Sequence, residues 1–192
     1  TESVGAVIGS EVTKNAVTSL AVAFIALAAY ISFRFEYKIA ISALVSILHD
    51  LIMVLGFFSF FHLEIDASFL AAILTVVGYS MNEAVVIFDR VRENTRTHRR
   101  TDSYEKLAHD SIAQSIHRSI YTLTTVLFAC GALHFFGGDS TKNFSLVMLI
   151  GFISGAYSSI CVDTSLWVVW KNHTSHKRGP HAVEAEPAET EE

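Results

Sequence analysis

VGYSMNEAVVIFDRVREN, residues 77–94, is the stretch on which the reading of the chain turns. It reads as the end of an apolar helix, yet Asn82 and Glu83 break the run of Val, Ile, Phe and Ala ahead of the charged cluster Asp89, Arg90, Arg92 and Glu93. An amide and a carboxyl in such surroundings are costly in a protein core and costlier in lipid, so they need a reason to be there.

The rest of the chain says which surroundings apply. Of 192 residues, 51% are hydrophobic and 17% charged, with a mean hydropathy of +0.41, which is too apolar for a soluble domain of this size. Five apolar runs, roughly 15–33, 39–61, 67–88, 119–136 and 144–170, each approach or exceed the ~20 residues that a bilayer core requires. Buried helices of large soluble proteins are shorter and more amphipathic. The expectation is an all-α membrane protein: a five-transmembrane-helix bundle over 15–170, with an external lead-in segment at 1–14 and a disordered cytoplasmic tail at 171–192. Lys and Arg set its orientation. Twelve fall in the first loop, the third loop and the tail, while only Lys14 and Lys142 fall on the opposite side. That split predicts an outside N-terminus and a cytoplasmic C-terminus.

The third connection, 89–118, alternates apolar residues with charge and is expected to extend its neighbouring helices into the cytosol. Nucleic acid is not an expected partner, because Asp102, Glu105 and Asp110 interleave with the bases and no aromatic platform accompanies them. Cys130 and Cys161 sit in apolar runs and read as small hydrophobes. His173, His176 and His181 lack ligand spacing, so neither metal nor cofactor is expected. The chain has no phosphate-binding GKS or GKT and no HExxH, which argues against ATP hydrolysis and zinc proteolysis.

Three places inside the spans break the apolar rule: His49 with Asp50, Asn82 and Glu83 with Ser80 nearby, and Asp163. A charge at a helix centre costs about 2.5–3.5 kcal/mol on insertion scales, so such residues face a bundle interior or a watery cavity. His49 and Asp50 can satisfy each other or fix a neighbouring helix. Asp163, seven residues before Trp170, is near enough to the span end to snorkel or pair with a cytoplasmic Lys. Glu83 carries the strongest functional signal. It lies about 9 Å inside Asp89, and Arg118 lies about 10 Å along the following helix if that helix starts near Ser111, so antiparallel neighbours carry both at similar depth. Arg is always charged and can hold a nearby carboxylate ionised. When the two part, a carboxyl alone in hydrocarbon takes a proton, which couples proton movement to helix rearrangement. A static ion pair is the alternative. Gly151 and Gly155 form a GxxxG in the fifth span, and with Gly78 in the third they are expected to serve close helix packing.

These same residues carry a resemblance. GYSMNEAVVIFDRVREN (78–94) resembles the signature of the SecF family of protein-export membrane subunits, or of the equivalent half of fused SecDF, within the resistance-nodulation-division superfamily. The likeness continues through RFEYKIAISALVSILHD (34–50), QSIHRSIYTLTT (114–125), FGG (136–138) and FSLVMLIGFISGAYSSI (144–160), with ESVGAVIG (2–9) similar to the segment leading out of the family's periplasmic domain. The resemblance implies the last five of six spans, in the bacterial cytoplasmic membrane. It also implies a SecD-like subunit or half, the Sec translocation channel, preprotein substrates and membrane lipid as partners, and use of the proton-motive force to assist export. In that family an Asp of the GYSxND motif and an Arg on the next helix are associated with proton conduction; they map to Glu83 and Arg118. Asn82, His49, Asp50 and Asp163 would support them. Glu83 departs from the family's Asp by one methylene, and Ala6 stands where a proline is usual. Two other functions fit the buried charges: a scaffold subunit without ion coupling, and the membrane half of another transporter of the superfamily.

Overall fold

The computed structural model describes residues 2–97 and 103–177. Six α-helices, α1 (Glu2–Arg34), α2 (Tyr37–Phe60), α3 (Ala67–Thr97), α4 (Tyr104–Phe136), α5 (Asp139–Ser158) and α6 (Thr164–Lys177), are joined by short connections, and a π-helical turn at Ser159–Asp163 links α5 to α6. Because Ser159 and Thr164 keep right-handed helical dihedrals, α5, the π turn and α6 form one continuous rod. Five helical segments are therefore long and apolar enough to cross a membrane: 17–34, 37–60, 67–96, 104–136 and 141–174.

The ends of these helices follow from local chemistry. Asp66 accepts from the Phe69 N–H (2.8 Å) and the Ser68 hydroxyl (2.6 Å), capping the first turn of α3. Those bonds favour the charged form, the Ser68 hydroxyl most, and hold the Asp66 carboxyl below its ordinary value of 3.8. Ser103 caps α4 in the same way, accepting from the Lys106 N–H at 3.3 Å. At the end of α2, His62 takes a positive φ of 52°. There the His62 N–H donates to Ser59 O and the Leu63 N–H to Phe58 O, the paired bonds of a Schellman stop.

Two of the expected boundaries move. The lead-in at 1–14 is helical from Glu2 and continuous with the first span, because no proline or turn sequence interrupts ESVGAVIGSEVTKN. The tail expected from residue 171 begins later, since α6 runs to Lys177; residues 178–192, expected to be disordered, lie outside the described residues.

Helix α5 is the hub, packing on α2, α3 and α4, whereas α1 touches only the α2–α3 side and is almost wholly exposed. The core is aliphatic and aromatic, with Ile47, Val54 and Phe58 from α2, Ile73, Val76 and Phe88 from α3, and Val147 from α5. Ile25, Ile52, Phe60, Phe128 and Val169 lie outside it and exposed. Such an apolar exterior suits lipid and would be an aggregation liability in water.

Candidate functional site

Polar side chains are buried along the seam where α2, α3 and the α5–α6 rod meet. Asp50 is 1% exposed there. The Ser154 hydroxyl donates to its Oδ1 (2.7 Å), the Ser158 hydroxyl donates to its Oδ2 (2.9 Å), and His49 Nδ1 lies 3.4 Å from Oδ1. Spacing of i and i+4 puts the two serines on one face of α5, with Gly155 between them. Gly155 makes the approach possible: a Cβ there would lie 2.3 Å from Ser80 Oγ and 3.6 Å from Asp50 Oδ2. One turn earlier, a Cβ on Gly151 would meet Val76 Cγ2 at 2.3 Å. The GxxxG pair is thus where α3 and α5 come closest. Gly78, expected to serve the same purpose, does not: it is exposed, and a Cβ there would meet nothing within 4 Å.

Asp163 also departs from expectation. It neither snorkels nor pairs with a lysine; it is 1% exposed, and neither carboxyl oxygen has a hydrogen-bond partner. The π turn accounts for its position. At about 100° per residue, eight steps from Gly155 would put Asp163 about 80° away from Gly155's inward face in a straight α-helix. A π turn absorbs one extra residue, which turns everything beyond it back by about 100° and brings Asp163 to the Gly155 face. Lys171, the lysine it might have reached, instead pairs with Glu36 at 2.8 Å.

Glu83 is 3% exposed, forms no ion pair among the described residues and lies within electrostatic reach of Tyr79. It is not in contact with Arg118. Arg118 is exposed and lines an open groove of about 400 Å³ between α3 and α4, together with Asn82, Asp89, Arg90, Glu93 and Gln114. Arg118 thus shares a groove with Asn82, the residue beside Glu83, while Glu83 is buried and does not line it. The charged cluster at the end of α3 is mostly satisfied locally: Arg34 bonds Asp89 at 3.1 Å and Arg90 bonds Glu93 at 2.6 Å. Arg92 lines a cavity of about 590 Å³ with Arg34, Arg96, Trp167 and Lys171. Among the described residues no group of three or more His, Cys, Asp or Glu is placed to hold a metal ion.

The structure thus brings Asp50 to Ser154 and Ser158 and keeps Glu83 apart from Arg118. Ser80 was noted only as a neighbour of Asn82 and Glu83, and Ser154 and Ser158 were missed as site residues. Their signal was available in the serines flanking the second glycine of the GxxxG, SGAYSS (154–159), opposite a span that carries an aspartate.

Fold and site together define a multi-pass helical membrane protein with carboxyl groups buried between its spans. The family model described as protein export membrane protein SecD/SecF, C-terminal, matches residues 1–173, and the chain belongs to that family. It is 42% identical over 165 residues to the protein translocase subunit SecF of Sebaldella termitidis, covering 86% of this chain and 54% of that one. Against the SecF of Acidaminococcus fermentans the identity is 46% over 170 residues, 88% of this chain and 58% of that one. Against the SecDF of Bacillus subtilis it is 41% over 173 residues, 88% of this chain but 23% of that one. The crystal structure of SecDF from Thermus thermophilus superposes with a TM-score of 0.82 at 37% identity, over 86% of this chain and 23% of that chain. The chain spans a little over half the length of the SecF relatives it matches. It is a multi-pass protein of the bacterial inner membrane, homologous to Sec translocase subunits.

Proposed function

We propose that the chain works as the SecF part of a SecD/SecF accessory complex that uses the proton-motive force to assist preprotein export, with Glu83 as the proton-carrying group and Arg118 as its alternating partner. One observation carries this reading: Glu83 is buried and forms no ion pair among the described residues, while Arg118 lines an open groove with Asn82, the residue beside Glu83. A carboxyl in that situation is stable as the neutral acid and costly as the anion. Turning α3 by about 100°, one residue step, would exchange Asn82 for Glu83 in the groove and let Arg118 hold the anion. Two conformations with opposite proton preference are what coupling requires. The open α3–α4 groove is, on this reading, where a SecD-like partner packs. The Sec channel and the exported preprotein are the further partners this role needs.

The test is proton flux in liposomes carrying the complete complex. Glu83→Gln should reduce flux to the leak level, with the subunits still co-purifying. Arg118→Ala should have a similar effect, and the double substitution should be little worse than either single one. Normal flux from the Glu83→Gln complex would favour a scaffold role.

A further inference from the structure

Three polar atoms are buried around Gly155 and the π turn without a partner, and the Glu83–Arg118 reading uses none of them: both carboxyl oxygens of Asp163 and the hydroxyl of Ser80. The first two belong to a side chain 1% exposed, brought inward by a helix distortion. The third lies against Gly155, where Asp50 Oδ2 also lies. Asp163 is within electrostatic reach of Asp50, and the π turn packs directly on α2 and α3.

The two aspartates are equally enclosed and oppositely supplied. Asp50 receives two hydroxyl hydrogen bonds and has an imidazole nitrogen beside it, which suits a carboxylate. Asp163 has no donor among the described residues. An anion there would bear desolvation with nothing to offset it, next to a second negative charge. A neutral acid at Asp163 near a carboxylate at Asp50 is the arrangement these surroundings favour. The other titratable groups facing the site are few. Among the described residues they are His49 and Lys38 from α2, Lys38 lying on the same buried row as Ser42, Ser46 and Asp50, and Glu83 and Tyr79 from α3; the α5–α6 rod adds the hydroxyls of Ser154, Ser158, Ser159 and Thr164.

We propose that Asp50 and Asp163 form a second proton-binding site, with Asp163 the protonated member in this conformation and Asp50 the ionised member held by Ser154 and Ser158. His49, whose Nδ1 lies 3.4 Å from Asp50 Oδ1, is the group that hands a proton to Asp50: the imidazolium gives its proton to the carboxylate and is left neutral. The site involves different helices and different residues from the Glu83–Arg118 pair, and it stands whether or not that pair conducts.

Infrared difference spectroscopy on the intact complex, with aspartate carbon-13 labelled at the side-chain carboxyl, tests it directly. The wild type should show the band of a protonated aspartic acid at neutral pH. Asp163→Asn, which keeps the shape and the neutral charge, should lose the intensity of one carboxyl, whereas Glu83→Gln should retain the full aspartate band. An unchanged band in Asp163→Asn would overturn the proposal. So would the absence of any protonated aspartate band from the wild type, an outcome that needs no variant to fold. Sodium is the remaining control: thermal unfolding of the wild type at fixed pH should not respond to sodium chloride more than to an equal concentration of choline chloride. A sodium-specific rise that Asp163→Asn abolishes would mean that the pair binds a metal cation instead of a proton. Because Glu83→Gln flux and the aspartate band are separate measurements, either reading can fail alone.

Discussion

The two sides of α3 differ more than the hydropathy of the helix suggests. Its inner side, with Val76, Ser80, Glu83 and Ile87, is sealed against α5 and its neighbours; its outer side, with Gly78 and Asn82, borders open space. Both sides come from one motif, GYSMNE (78–83), and only the packing distinguishes them. A residue's chemistry in a membrane bundle is set by which way it faces as much as by its depth. Asn82 and Glu83 are adjacent in sequence and nearly equal in depth, yet one is exposed and shares a groove with Arg118 and the other is buried away from it.

If that contrast holds, methyl groups added to the two faces should have opposite effects. Gly151→Ala drives a Cβ into Val76, which is fully buried and stiff at χ1, and should destabilise the bundle by about 1–3 kcal/mol in denaturant unfolding. Val76→Ala introduced alongside should recover much of that loss, giving a coupling energy that Val76→Ala cannot produce with a distant substitution. A smaller effect is expected where α3 begins. Asp66→Ala removes the cap and should cost about 1 kcal/mol at neutral pH. Because the folded carboxyl titrates below its ordinary value, the cap's contribution is present above that value and lost as pH falls through the lowered one. The gap between wild type and Asp66→Ala should therefore be constant near neutrality and close in acid. The smallest effect belongs to the outer face. Gly78→Ala meets nothing, and should leave stability unchanged or raise it by up to about 1 kcal/mol through helix propensity. A loss there as large as that of Gly151→Ala would mean that the two faces are not distinct.

The spans were legible in the sequence and facing was not. Hydropathy marked five runs that overlap the five helices long and apolar enough to cross a membrane, and the depth argument for Glu83 and Arg118 used only rise along the helices. Rise contains no information on azimuth, so the same reasoning could not see that Asn82 occupies the groove. Gly78 misled for a related reason, since a glycine in a span advertises close approach without saying to what. The burial of Asp163 had no local signal: SICVD (159–163) reads as ordinary helix, and its π turn lies where the rod packs on α2 and α3. The serines beside Gly155 were readable as small residues, but their role as donors needed the position of Asp50.

The extra residue wound into Ser159–Asp163 is a dislocation in an otherwise regular lattice. Such a fault can glide along a rod one position at a time, exchanging single hydrogen bonds while both ends stay wound. Each residue that it passes swings by about 100° relative to the bundle. Here the fault is what faces the aspartate inward, with no loop to bend and no span to break.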